Sequence, residues 1–205
     1  MTKVKICGLK NAEHVDAAIR TGADFIGFMF APSKRQISVE EAMDLAAHIP
    51  KEVKKVGVFV NELPKIIVQI AQKVGLDYIQ YHGDETPEMI TAIGLPAIKA
   101  FSIHSKEDVV HAAKYDVDFY LFDAPGTDYR GGSGHSFDWT FLDDVNIPLE
   151  KVILAGGLHA ENVALAITLV EPFAVDVSSG VEVDGHKDVK AIATFIEKAK
   201  GEFIL

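Results

Sequence analysis

Residues 152–180 read VILAGGLHAENVALAITLVEPFAVDVSSG, and this stretch decides the fold. An apolar run, Val152–Leu154, leads into Gly156-Gly157. A segment follows in which Val163, Ala166, Ile167 and Val170 share one face at helical spacing. A second run, Phe173–Val177, then leads into Ser178-Ser179-Gly180. Strand, loop, helix and strand in that order describe a β-α unit and the start of the next.

Working outward, the same unit recurs along the chain. Further apolar runs lie at Val4–Cys7, Phe25–Phe30, Val56–Val60, Tyr78–Tyr81, Ala97–Phe101 and Phe119–Phe122, which makes eight in all. Most are continuous rather than alternating, as expected of parallel strands covered on both faces. Their starts lie 19 to 33 residues apart, room for one helix and two short loops. Ala12, Val15, Ala18 and Ile19 share a helical face after the first run. Ile66, Ile67, Ile70, Ala71 and Val74 do so after the third, and Val189, Ile192, Ala193, Ile196 and Ala199 after the eighth. Ser38 before Glu40-Glu41 and Pro64 mark helix starts; Gly22, Gly75 and Gly94 mark helix ends. Eight such units in 205 residues predict an α/β fold, a (β/α)8 TIM barrel of eight parallel strands in a single domain, 1–205. A doubly wound open sheet competes, but the sequence has no dinucleotide fingerprint. The longest irregular segment, 124–150, holds Gly126, Gly131, Gly132 and Gly134 and reads as a functional loop with a short helix. Gly131-Gly132-Ser133-Gly134 lacks the lysine of a phosphate-binding P-loop and reads as a mobile flap.

Composition narrows the function. Asp and Glu outnumber Lys and Arg, 30 to 20, for a net charge of −10 with no basic run, which argues against nucleic acid as a partner. The longest nearly uncharged apolar run, Phe25–Pro32, is far short of the roughly 20 residues a membrane helix needs. The N-terminus does not read as a signal peptide, and one cysteine cannot form an internal disulfide or a zinc site of cysteines. These features fit a cytoplasmic protein in a reducing compartment. Scattered apolar residues on the outer helices define no oligomeric interface.

In such a barrel the active site lies at the C-terminal ends of the strands. Gly156-Gly157 and Ser178-Ser179-Gly180 follow strands seven and eight, where many barrels hold a phosphate; two tight turns are the plain alternative. Cys7 ends strand one, either as a small buried hydrophobe or as a proton-transfer base. A positive field, from Lys5 or Lys10, would give it a useful thiolate fraction near neutral pH. Asp123 ends strand six, either capping a turn or serving as a general acid with a pKa raised by partial burial. Strands one and six are not neighbours, so these two groups can address a small substrate from opposite sides. Arg35 after strand two is either a solvated charge or a bidentate grip for a carboxylate. Asp176 ends strand eight, and His82 after strand four reads as a supporting hydrogen-bond residue. The eight histidines form no close metal-ligand pair.

Taken in order, these motifs resemble the phosphoribosylanthranilate isomerase family of tryptophan biosynthesis over essentially the whole chain. The resemblance rests on Lys5-Ile6-Cys7-Gly8, Gly27-Phe28-Met29-Phe30, Ser33-Lys34-Arg35, Val56–Asn61, Gln80-Tyr81-His82-Gly83, Phe122-Asp123, Gly131–Gly134, Phe137-Asp138-Trp139, Leu154–Leu158 and Val175–Glu182. The family more often has leucine where Tyr81 stands. The resemblance implies an Amadori rearrangement of N-(5-phosphoribosyl)anthranilate, with Asp123 as general acid and Cys7 as general base. It implies that Arg35 contacts the anthranilate carboxylate and that Asp176 orients polar groups of the substrate. The phosphate would rest on Gly156, Gly157, Ser178, Ser179 and Gly180, with no metal and no organic cofactor. Two alternatives stay open, a sugar isomerase on the same barrel and a binding barrel without turnover, and a metal-dependent epimerase fits worse. A histidine-pathway aminoaldose isomerase uses two aspartates as acid and base. A metal-dependent pentose phosphate epimerase needs histidines where strands two and three have none. A phosphometabolite-binding barrel without turnover has no use for Cys7 and Asp123.

Overall fold

The apolar runs become strands because both of their faces find cover. The computed structural model of the chain describes residues 1–125, 137–142 and 147–201. Eight parallel strands close into a barrel in chain order. They are β1 (Lys3–Cys7), β2 (Phe25–Met29), β3 (Lys54–Phe59), β4 (Tyr78–Tyr81), β5 (Ala97–Ser102), β6 (Phe119–Asp123), β7 (Val152–Leu154) and β8 (Ala174–Val177). Around them lie α1 (Ala12–Thr21), α2 (Val39–Ala46), α3 (Pro64–Val74), α4 (Pro87–Ile93), α5 (Lys106–Ala112), α6 (Val163–Val170) and α7 (Val189–Lys200). Among the described residues, no helix is long and apolar enough to cross a membrane.

The helix signals act as read. Ser38 caps α2 with a reciprocal capping box to Glu41, and Pro64 opens α3. Gly22, Gly75 and Gly94 end their helices in the left-handed conformation that glycine adopts without strain. Two details differ from expectation. Ala12 is exposed rather than part of the buried face of α1, because it sits at the first turn beside the Asn11 cap. The short helix expected within 124–150 is a 3-10 turn, Trp139–Leu142, started by Asp138, whose Oδ1 accepts from the Thr140 backbone N–H and hydroxyl. Gly126 and the Gly131–Gly134 flap lie outside the described residues.

One feature of the eighth unit has no counterpart in the sequence reading. After β8 comes a 3-10 turn, Ser179–Val181, and then a small antiparallel hairpin, β9 (Glu182–Val183) paired with β10 (His186–Lys187). Asp184 and Gly185 both have positive φ, 51° and 78°. Two such residues make the tight turn that Asp-Gly favours.

The barrel is closed at one end and open at the other. At the end where the strands begin, four rings form a cycle: Phe25–Tyr78, Tyr78–Phe119, Phe119–Phe173 and Phe173–Phe25, with centroids 6.1, 5.6, 4.5 and 6.3 Å apart. They come from β2, β4 and β6 and the residue before β8, the alternate-strand layering of barrel interiors. Above them pack Val56, Ile98, Leu121, Ile153 and Ala174. Among the described residues, the buried carboxylates Asp123 and Asp176 stand at the far end, where strands β6 and β8 finish. Phe25→Ala empties part of the plug and should lower stability by about 3–5 kcal/mol in urea unfolding. The kcat of the folded variant should stay close to that of the parent, because the rings face away from the site.

Candidate active site

Barrel geometry converts distant sequence positions into neighbours. Lys5 and Cys7 alternate into the interior from β1, and the register sets Lys5 beside Asp176 and Cys7 beside Gly27. Lys5 is wholly buried, and its Nζ donates to Asp176 Oδ1 at 2.9 Å. Burial works against the Lys5 charge, but Asp176 and Cys7 outweigh it and raise its pKa above the ordinary 10.5. Gly27 makes room for the thiol: a Cβ there would lie 2.9 Å from Cys7 Sγ.

The expectation of a thiol acidified by its surroundings is corrected here. The Cys7 pKa is raised above 9.0, because burial penalises the thiolate more than Lys5 and Lys187 favour it. Lys10 is exposed and is not among the groups that act on Cys7; Lys187, from the hairpin, takes that place. Such a thiol is protonated at neutral pH, with two cations waiting to receive its negative charge.

Asp123, at the end of β6, shows the opposite usefulness. It is 6% exposed, and burial, helped by repulsion from Asp176, pushes its pKa up to about 7. A carboxyl with a pKa there keeps a large share of its protons at neutral pH. His82 Nε2 stands 3.7 Å from Asp123 Oδ2, and His82 Nδ1 lies 3.0 Å from Gln80 Nε2, so the supporting place read for His82 agrees with its contacts.

The two loops read as a phosphate cradle lie together. Gly156 and Gly157 have φ of 84° and 63°, and a Cβ on Gly156 would fall 2.2 Å from the Ala124 nitrogen. A Cβ on Gly180 would fall 1.9 Å from the Leu158 carbonyl oxygen, so this glycine lets the two loops touch. Asn162 locks the first loop, its Nδ2 donating to the Gly157 carbonyl while its Oδ1 accepts from His159 N–H. In the second, the Ser178 hydroxyl donates to the Cys7 carbonyl at 3.3 Å, and Lys187 Nζ donates to the Ser178 carbonyl at 2.7 Å. Gly156, Gly157, Ser178 and Ser179 line one cavity with Asp123 and Asp176. A larger cavity of about 540 Å³ opens between β4 and β5 and shares His82 with this region. The buried Asp123 and both loops meet at the smaller cavity, which makes it the candidate site.

Arg35 stands where its stem packs over Gly8, one residue beyond Cys7. Its guanidinium is engaged by a residue to which sequence reasoning gave no role. Arg35 Nε donates to Glu182 Oε1 at 2.6 Å and Nη2 to Oε2 at 3.1 Å. Glu182 also meets Lys34 at 3.1 Å and Lys187 at 3.2 Å. Burial opposes its charge, yet Arg35, Lys187 and Lys34 together hold its pKa at about 2. The signal that could have found Glu182 and Lys187 was Asp184-Gly185 between them, a hairpin turn that sets them face to face. Among the described residues, no group of three or more His, Cys, Asp or Glu is arranged to hold a metal ion.

With this geometry in view, the comparisons are specific. Residues 4–198 match the family model described as N-(5'-phosphoribosyl)anthranilate (PRA) isomerase. The N-(5'-phosphoribosyl)anthranilate isomerase of Bacillus mycoides (strain KBAB4) is 47% identical over 199 residues, covering 97% of this chain and 98% of that one. The crystal structure of the Thermotoga maritima isomerase is 40% identical with a TM-score of 0.87, covering 98% of this chain and all of that one. A further isomerase structure, 39% identical with a TM-score of 0.83 and covering 98% of this chain and 100% of that one, is a complex with reduced 1-(o-carboxyphenylamino)-1-deoxyribulose 5-phosphate. The chain belongs to the N-(5'-phosphoribosyl)anthranilate isomerase family.

Proposed function

We propose that Asp123 and Cys7 carry the isomerisation in this enzyme of tryptophan biosynthesis, acting at different atoms of one substrate. The reaction is an intramolecular oxidation and reduction: C1 of the ribose is reduced and C2 oxidised. N-(5-phosphoribosyl)anthranilate becomes 1-(2-carboxyphenylamino)-1-deoxyribulose 5-phosphate. Asp123 gives its proton to the ribose ring oxygen. The anthranilate nitrogen lone pair forms the C1=N bond as the C1–O bond breaks, leaving a protonated Schiff base. Cys7 takes the C2 proton, and the C–H electrons form C1=C2 while the C=N electrons return to nitrogen. The enolamine then gains a proton at C1 and loses one from its C2 hydroxyl to give the ketone. The substrate nitrogen supplies the electron push, so the steps call for neither metal nor organic cofactor.

The observation that carries this reading is the buried Asp123, with a pKa of about 7, in one cavity with Asp176 and both glycine-serine loops. Gly156, Gly157, Ser178, Ser179 and Gly180 hold the phosphate, Arg35 takes the anthranilate carboxylate and Asp176 orients the sugar. The partner is this phosphorylated small molecule, and the compartment is the cytoplasm, where the single thiol stays reduced.

Cys7→Ala and Asp123→Asn should each cut kcat by about 10²- to 10⁴-fold with circular dichroism unchanged, read by loss of anthranilate fluorescence from substrate made in situ. Near-parental kcat in Cys7→Ala would return that residue to the core. The pH profile should carry the signature of an acid whose pKa lies below that of the base. The productive state, Asp123 protonated and Cys7 ionised, grows as pH rises to about 7 and then levels. It falls again only above the raised pKa of Cys7. Arg35→Ala should lower kcat/KM roughly 10- to 150-fold, the worth of a charged hydrogen bond of about 1.5–3 kcal/mol. In crystals soaked in inorganic phosphate, the anion should lie between the Gly156 and Ser178 loops; an anion bound only elsewhere contradicts the cradle.

A further inference from the structure

The hairpin after β8 brings two buried charged side chains to the mouth of the barrel; Lys187 lends its charge to Cys7, while Glu182 has no part in the reaction scheme. The Glu182 and Lys187 side chains are 5% and 6% exposed and sit opposite each other in the β9–β10 register. Glu182 reaches across to Arg35, 147 positions away in sequence. A guanidinium has five N–H donors arranged along distinct edges. Glu182 takes the side edge, Nε with Nη2. The end edge, Nη1 with the second hydrogen of Nη2, is left pointing away from Glu182. A planar guanidinium gripped along one edge cannot rotate, so the other edge is fixed in direction.

Charge at this corner supports the same reading. One carboxylate, Glu182, is shared by three cations, Lys34, Arg35 and Lys187, so the corner carries an excess of positive charge. A second carboxylate, brought by the substrate, would reduce that excess from two charges to one. Lys187 extends the same rigid link to the other end of the ligand, since its Nζ holds the Ser178 carbonyl and meets the Ser178 hydroxyl at 3.3 Å.

We propose that Glu182 is the positioning residue for substrate recognition: it presents one edge of Arg35 to the anthranilate carboxylate and, through Lys187, fixes that edge relative to the phosphate loop. This rests on the reading of Arg35 as the carboxylate contact. Glu182 acts through Arg35 and Lys187 and touches no reacting atom, so its loss should appear in KM far more than in kcat.

The test uses Glu182→Ala, Glu182→Gln and Arg35→Ala singly, and Glu182→Ala with Arg35→Ala together. Steady-state kinetics are read beside binding of the reduced product analogue and inhibition by inorganic phosphate. Glu182→Ala should raise KM about 10-fold with kcat within about 3-fold, and weaken the analogue by a similar factor. Phosphate inhibition should weaken by less, since the loop glycines remain. Glu182→Gln keeps one acceptor for Arg35 and should fall between parent and Glu182→Ala. The double variant should be little worse than Arg35→Ala, because both remove one arrangement. The sign of the KM change separates positioning from simple charge: if Glu182 merely dilutes the positive corner, Glu182→Gln will bind the anionic substrate more tightly. That result overturns the proposal, as does an unchanged KM with a lowered melting temperature. If Arg35→Ala itself leaves kinetics unchanged, the carboxylate assignment fails. If Arg35→Ala is impaired while Glu182→Ala is normal, only the role of Glu182 fails.

Discussion

A lysine ammonium with no access to water must have a partner, and the site is built around that requirement. Lys5 is fully buried inside the barrel, and Asp176 is the carboxylate that answers it at 2.9 Å. The pair bridges β1 and β8, the two strands whose contact closes the barrel. Removing one member of such a pair strands the other, a cost of about 3–5 kcal/mol. The same pair governs the reactive groups. Lys5 favours the Cys7 thiolate, while Asp176 disfavours negative charge on both Cys7 and Asp123. Burial does most to raise the Asp123 pKa; within the pair Asp176 adds to that rise and Lys5 opposes it, while Lys5 sets a cation beside Cys7.

A second buried pair performs a structural task behind the site. Lys99 alternates outward from β5, and its Nζ donates to the Gly83 carbonyl at 2.9 Å and the Ala100 carbonyl at 3.0 Å. Glu85 lies 3.4 Å from Lys99 and accepts from the N–H groups of Asn61 and Gly83, each at 2.8 Å. These bonds hold the backbone next to His82 and tie the ends of β3, β4 and β5 together. His82 reaches toward Asp123 from a backbone with little freedom, which suits a supporting role better than a mobile one.

The barrel was legible because its signal is periodic and repeated. Continuous apolar runs at regular spacing leave few ways to cover both faces of every strand. That Cys7, Asp123, Asp176 and the glycine-serine loops stand at one end of the barrel was legible for the same reason, since a parallel barrel carries all its strand ends to one side. What the sequence withheld depends on packing and pairing. The direction of the Cys7 shift follows from how deeply β1 and Gly27 bury the thiol, and composition carries no measure of that depth. Arg35 and Glu182 are far apart in sequence, so their bidentate contact exists only once the barrel closes through β1 and β8 and the segments after β2 and β8 meet beside β1. The hairpin is a different case. Asp184-Gly185 is a local turn signal, and it was passed over because the eighth unit was read simply as strand, loop and helix.

Charge at the mouth explains how a chain of net charge −10 can bind a substrate bearing both a phosphate and a carboxylate. Exposed carboxylates on the outer helices act through water and salt, which screen them within about 8 Å. Inside the mouth the balance is reversed. Lys5, Arg35 and Lys187 are held there with the exposed Lys34, against Asp176 and Glu182, and Asp123 is largely neutral below pH 7. The raised pKa of Asp123 therefore has two consequences. In the proposed mechanism it supplies the proton for ring opening, and it removes a negative charge from the cavity proposed to take the phosphate. An aspartate with an ordinary pKa would fail on both counts: it would have no proton to give, and it would repel the ligand whose binding it is meant to serve.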